Sequence, residues 1–105
     1  MPKSMEFANT FQLSVGEGIA NTLGVSVMET LKNLLNHSFK TYAEKPAEFH
    51  RELSRFFGSA AITLEKMITK DLFQRLDLHY SKELEFETSI NLARHGIILS
   101  QKGND

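Results

Sequence analysis

The chain has 105 residues, 41% of them hydrophobic and 24% charged, which suits one domain with one modest core and excludes a disordered chain. Its formal net charge is −1, so no global basic field draws it to nucleic acid or to an anionic membrane. It has no cysteine, which excludes disulfides, thiolate zinc sites and cysteine nucleophiles and fits a reducing cytoplasm.

The opening stretch, MPKSMEFANTFQLS, has neither a long apolar run nor a cleavage-like site, so no secretory leader is expected. Residues 1–5 are expected to fray. From Glu6 a helical pattern begins: Phe7, Ala8, Phe11, Val15, Ile19 and Leu23 recur mainly every four residues. Gly16 and Gly18 interrupt it, each costing up to about 1 kcal/mol relative to alanine in a helix interior. Close contact with another helix, or a kink, is the expected reason, because GEG is no phosphate-loop signature.

Leu23-Gly24 ends this segment. Ser26-Val27-Met28-Glu29 reads as an S-x-x-E capping box that opens a second helix. Val27, Met28, Leu31, Leu34 and Leu35 form its apolar side. Its end is expected between His37 and Tyr42, followed by a polar linker from Thr41 to Lys45.

The stretch from Pro46 to Leu78 carries the strongest pattern. Pro46 suits the first turn of a helix and pushes Lys45 out of the helical region. Phe49, Leu53, Phe56 and Phe57 then fall on one face, with His50, Arg51, Glu52, Ser54 and Arg55 on the other. Gly58 reads as a left-handed cap and Ser59 as the N-cap of the next helix. In that helix Ala61, Leu64, Ile68, Leu72 and Leu76 form the apolar stripe, with Ala60, Met67 and Phe73 beside it. Glu65, Lys66, Thr69, Lys70, Gln74 and Arg75 are expected on the polar side, with Glu65 facing solvent.

After a turn through Asp77-Leu78-His79-Tyr80, a last helix fits from Glu85 to His95, with Phe86, Ile90 and Ala93 on one face and Gly96 as its cap. Glu83, Glu85 and Glu87 precede or open it, and alternate spacing spreads them around a helix. Ile97-Ile98-Leu99 is a short apolar run, and residues 100–105 are expected to fray. No repeat, low-complexity tract or strand pattern stands out. A single all-α domain over residues 1–105 is expected: a compact bundle of about five helices around a central hairpin, 46–57 and 59–76.

Searching for chemistry leaves little. His37, His50, His79 and His95 include no pair at i, i+3 or i, i+4, and no H-E-x-x-H occurs. The serines lack a G-x-S-x-G context. No catalytic, metal or cofactor-binding residue is therefore assigned, and no enzyme is expected. No window approaches the roughly 18–20 apolar residues of a membrane span.

The run KPAEFHRELSRFFGSAAITLEKMITKDLFQRLDL resembles a family of small archaeal helical proteins of unknown function. Pro46, Phe49, Leu53, Phe57-Gly58, Ala61, Leu64-Glu65, Ile68 and Leu72 carry the resemblance. It covers residues 23–93, and is strongest over 46–78; the long glycine-bearing first helix departs from the family's short N-terminus. The resemblance implies an all-helical cytoplasmic protein and no particular activity.

Two functional expectations follow. The first is a non-catalytic interaction or regulatory module with a protein partner or a second copy, through the Ile97–Leu99 run or the two-glycine first helix, since small Phe-rich helical domains often complete their cores by association. The alternative is DNA binding through a helix-turn-helix-like hairpin around Gly58, with Arg51, Arg55, Lys66 and Lys70 on phosphates. Against it, SAAITLEKMITK offers no arginine or asparagine near the helix start to read base edges.

Overall fold

A computed structural model describes the backbone of residues 3–81 and 83–95, and side chains from Glu6 onward. Five α-helices follow in order: α1 Lys3–Leu23, α2 Val25–Leu34, α3 Pro46–Phe57, α4 Ala60–Arg75 and α5 Phe86–Arg94, with a 3-10 turn Thr41–Glu44 before α3. No strand occurs among the described residues, so the architecture is the expected all-α bundle. Its radius of gyration, 13.3 Å, matches the roughly 13 Å of a compact chain of this length. Ile97–Leu99, the Gly96 cap and residues 100–105 lie outside the described residues.

The α1 stripe predicted from spacing is the inner face. Phe7, Phe11, Val15 and Ile19 are buried there against α4 and α2. Phe49 on α3 joins the layers. Its ring lies 5.9 Å from Phe11 on α1, nearly edge-on, 5.1 Å from Tyr42 and 5.8 Å from Phe86 on α5. Such pairs add about 0.5–1.5 kcal/mol beyond their area burial.

The chain breaks where its backbone demands it. Lys45 sits at φ −135°, ψ 56°, outside the helical region as its following proline requires. Gly24 (φ 98°, ψ 156°) and Gly58 (φ 59°, ψ −136°) take conformations that L side chains rarely adopt. Gly58 thus has the expected positive φ, but its ψ turns the chain away from the left-handed helical cap. After α4 the backbone N–H of Leu78 donates to Phe73 O (2.8 Å) and that of Asp77 to Gln74 O (3.2 Å). This is a Schellman closure with Asp77, at φ 59°, where glycine is usual.

Several local expectations are corrected. Helix α1 already includes Lys3, so residues 3–5 continue the helix rather than fray. Gly24 precedes α2 and Ser26 lies within it, with no side-chain cap, so the S-x-x-E box does not form. Ser59 likewise makes no side-chain cap and is itself helical, at φ −66°, ψ −20°. Helix α2 stops at Leu34, short of the expected His37–Tyr42. The presumed polar linker instead coils into the 3-10 turn, whose Tyr42 and Ala43 are fully buried. Phe49 needs Tyr42 as a packing partner, and that tertiary contact outweighs the polar look of the segment.

Candidate functional site

Two grooves open on the surface. The first is a groove of about 460 Å³ between α3, α4 and the segment leading into α5. At its floor His50 Nδ1, from α3, lies 2.6 Å from Glu65 Oε2, from α4. With Glu65 ionised, Nδ1 carries the proton of that bond. Glu65 is 4% exposed, which corrects the expectation that it faces solvent. Thr69 and Glu52, also assigned to polar faces, are buried, while Met67, placed beside the stripe, is 41% exposed. Helix α4 is rotated so that positions 61, 65, 68 and 72 face inward.

Burial pushes the Glu65 carboxyl above its ordinary range, and the hydrogen bond and charge of His50 draw it part of the way back. Thr69 Oγ1 donates to the Glu65 backbone carbonyl at 2.7 Å, holding this turn of α4. Glu83, Glu85 and Glu87, expected to scatter around a helix, all line the same groove, because Glu83 and Glu85 precede α5 and only Glu87 lies within it. Lys66 stands at the rim, and Ile62, Tyr80 and Phe86 supply apolar wall.

A histidine held through Nδ1 by a carboxylate is the arrangement of a general base. Catalysis also needs a nucleophile within reach. Among the described residues no hydrogen bond joins His50 to Ser89, which lines the same groove from α5. No group of three histidine, aspartate or glutamate side chains among those residues is placed to hold a metal ion.

A second polar cluster fastens the segment between α2 and α3. His37 Nε2 lies 3.0 Å from Glu48 Oε2, and the His37 backbone N–H donates to the Tyr42 hydroxyl at 3.2 Å. Asn36 Nδ2 donates to Glu52 Oε2 at 3.3 Å, and Arg55 Nη1 approaches the same oxygen at 3.5 Å. Burial, with the charges of Glu52 and Glu48, raises the Tyr42 hydroxyl above its ordinary range. This cluster is a clamp, within which Glu52 Oε1 is buried with no hydrogen-bond partner among the described residues.

The second groove lies where α1 meets α2. Leu13, Gly16, Ala20 and Met28 line a groove of about 440 Å³, with Glu17 and Lys32 at its edges. Leu13, Gly16, Ala20 and Leu23 fall at i, i+3, i+7 and i+10, one stripe of α1 with small residues at its middle. Leu13 is 48% exposed and Leu23 39%. Helix α2 adds Val25, 62% exposed and three residues before Met28; Val27 and Leu34, which were expected on its buried side, are exposed on another side of the helix.

The basic residues of the DNA-binding alternative are placed as two i, i+4 pairs, Arg51 and Arg55 on α3 and Lys66 and Lys70 on α4. Arg55 is engaged with Glu52 and lies 5.2 Å over the Phe56 ring. Lys66 borders the groove that carries four glutamates. No helix among the described residues is long and apolar enough to cross a membrane.

Comparison of the chain with protein-family models, with curated proteins and with solved structures finds no match.

Proposed function

We propose that the protein is a non-catalytic association module that pairs with a second copy of itself through the α1–α2 face. The concentration of exposed large aliphatic side chains on these two helices carries this reading. Leu13 lines the groove with Gly16 and Ala20, Leu23 continues the same stripe of α1, and Val25 stands one turn before Met28 on α2. Contiguous apolar surface of this kind marks a binding face more often than single exposed residues do.

The charged residues at its edges are already paired within the chain, Glu17 with Arg75 and Lys32 with Glu29 at 4.0 Å, so what the face offers is aliphatic. A second copy presents the same aliphatic face across a two-fold axis. Small residues at the middle of the α1 stripe let two helix backbones approach closely.

Sedimentation equilibrium over a range of concentrations tests this reading. A concentration-dependent dimer is expected, lost in Leu13→Glu and in Val25→Glu, both at exposed positions where folding is unaffected. A monomer at every concentration, or a dimer that both variants leave intact, overturns it.

A further inference from the structure

Helices α1 and α4 press closest where a Cβ placed on Gly18 would lie 3.3 Å from Ile68 Cγ1. One turn further along α1, Thr22 Oγ1 donates a hydrogen bond to the sulfur of Met67, the residue before Ile68, at 3.7 Å. This bond crosses the seam between the two helices near the end of α1. We propose that Met67 is a site of reversible oxidation by hydrogen peroxide, and that its sulfoxide, held by Thr22, tightens the α1–α4 seam. Neither residue lines the α1–α2 groove, so the site is separate from the association face.

Access sets which methionine reacts. Met67 is 41% exposed, although Leu64 and Ile68 on either side of it in α4 are buried. Met28, the other methionine whose side chain is described, is partly covered and packs against the core. Peroxide therefore reaches Met67 more readily. A thioether sulfur has two lone pairs, and the Thr22 hydroxyl engages one of them, leaving the other to react. That lone pair attacks one peroxide oxygen. An S–O bond forms as the O–O bond breaks, and the departing oxygen takes the remaining proton and leaves as water. Sulfur loses the two electrons that the peroxide gains.

The product suits its neighbour better than the thioether does. A thioether is a weak acceptor, and at 3.7 Å its bond to Thr22 is a weak link. A sulfoxide oxygen carries partial negative charge and stands one S–O bond out from the sulfur. Methionine has three rotatable bonds, enough to bring that oxygen within about 2.5–3.0 Å of the Thr22 hydroxyl, the range of an O–H···O bond. Both side chains are exposed, so the new polar atom is not forced into the core. A sulfoxide at Met28 would instead put an oxygen among apolar core neighbours. The same exposure leaves the Met67 sulfoxide open to the reductases that return it to the thioether.

The test treats the full chain with hydrogen peroxide at neutral pH and follows each methionine by peptide mass mapping. Met67 is expected to convert faster than Met28. Thermal melts are then run before and after oxidation in a Met28→Leu background, a volume-conserving change. Oxidation is expected to raise the melting temperature by a few degrees, at most about 8 °C, the size of one added hydrogen bond in a domain of this length. Adding Met67→Leu, at an exposed position that tolerates it, should abolish the rise. Thr22→Val leaves Met67 open to peroxide and should also abolish the rise. Methionine sulfoxide reductase with a dithiol should restore both the mass and the original melting temperature. The proposal is overturned if Met28 converts as fast as Met67, or if oxidation fails to raise the melting temperature. It is equally overturned if the rise survives in Met67→Leu or in Thr22→Val, or if the reductase leaves the sulfoxide in place.

Discussion

His50 and Glu65 meet across the α3–α4 hairpin with Nδ1 and Oε2 2.6 Å apart, one side chain half exposed and the other buried. The pair joins positions that the sequence pattern assigns to solvent. Burial holds the Glu65 carboxyl above its ordinary value near 4.5, so the folded chain keeps this proton to higher pH than the unfolded chain does. Between the two values the folded state binds more protons, and stability from this group falls as pH rises. In urea denaturation, the stability of the parent minus that of Glu65→Gln should therefore decline as pH rises above 4.5. A difference that is flat or rising over that range would show that burial does not dominate the site.

Phe49 touches rings from α1, the 3-10 turn and α5, and is fully buried. Phe49→Ala should cost about 3–5 kcal/mol, the upper range for core truncation. That is a large share of the roughly 5–15 kcal/mol available to a domain of this size. Phe57→Ala, at a half-buried position, should cost clearly less. Equal losses by chemical denaturation would mean that Phe49 is not the hub of the core.

The two glycines of α1 should respond differently to alanine. A Cβ on Gly16 meets nothing within 4 Å, so Gly16→Ala should stabilise the helix by up to about 1 kcal/mol. A Cβ on Gly18 lies 3.3 Å from Ile68 Cγ1, so the same propensity gain is offset by crowding against α4. The expected order of melting temperatures is Gly16→Ala above the parent, with Gly18→Ala below Gly16→Ala. Close helix contact, the expected reason for both glycines, holds only at Gly18; Gly16 instead leaves the α1–α2 groove open.

Asp77 occupies the left-handed position of the Schellman closure after α4. Asparagine and aspartate tolerate that conformation better than other residues with a Cβ, but glycine adopts it without steric cost. Asp77→Gly should be neutral or stabilising by a few tenths of a kcal/mol, whereas Asp77→Val should destabilise by about 1–2 kcal/mol. Thermal melts of the two variants check the sign of each.

Much of this architecture is legible in the sequence because its cause is local. Pro46 and Gly58 set their own backbone conformations, and the Phe7–Phe11–Val15–Ile19 repeat marks its own inner face. The candidate site is less legible. Glu65 follows Leu64 and looks polar by residue type, yet it stands four residues after Ala61 and three before Ile68, on the same stripe. The spacing held that signal, and the chemical character of glutamate hid it. Glu52 repeats the case, three residues after Phe49. The burial of Tyr42 has no such local signal, because it depends on Phe49 and on His37, whose N–H needs the hydroxyl. The exposure of two α2 side chains was missed for the opposite reason. Val27 and Leu34 are apolar by type, and nothing local distinguishes a core stripe from an exposed one.

The packing of α1 on α4 also bears on how the chain is made. Helix α1 leaves the ribosome before α4, which packs on it but is separated from it by α2 and α3. At roughly 5–20 residues per second, α4 follows several seconds later. Throughout that interval the nascent chain carries a bare aliphatic and aromatic helix, the kind of surface that holding chaperones bind. Assembly of this bundle is thus paced by translation, and its N-terminal helix is where a nascent chain is most exposed to mispairing.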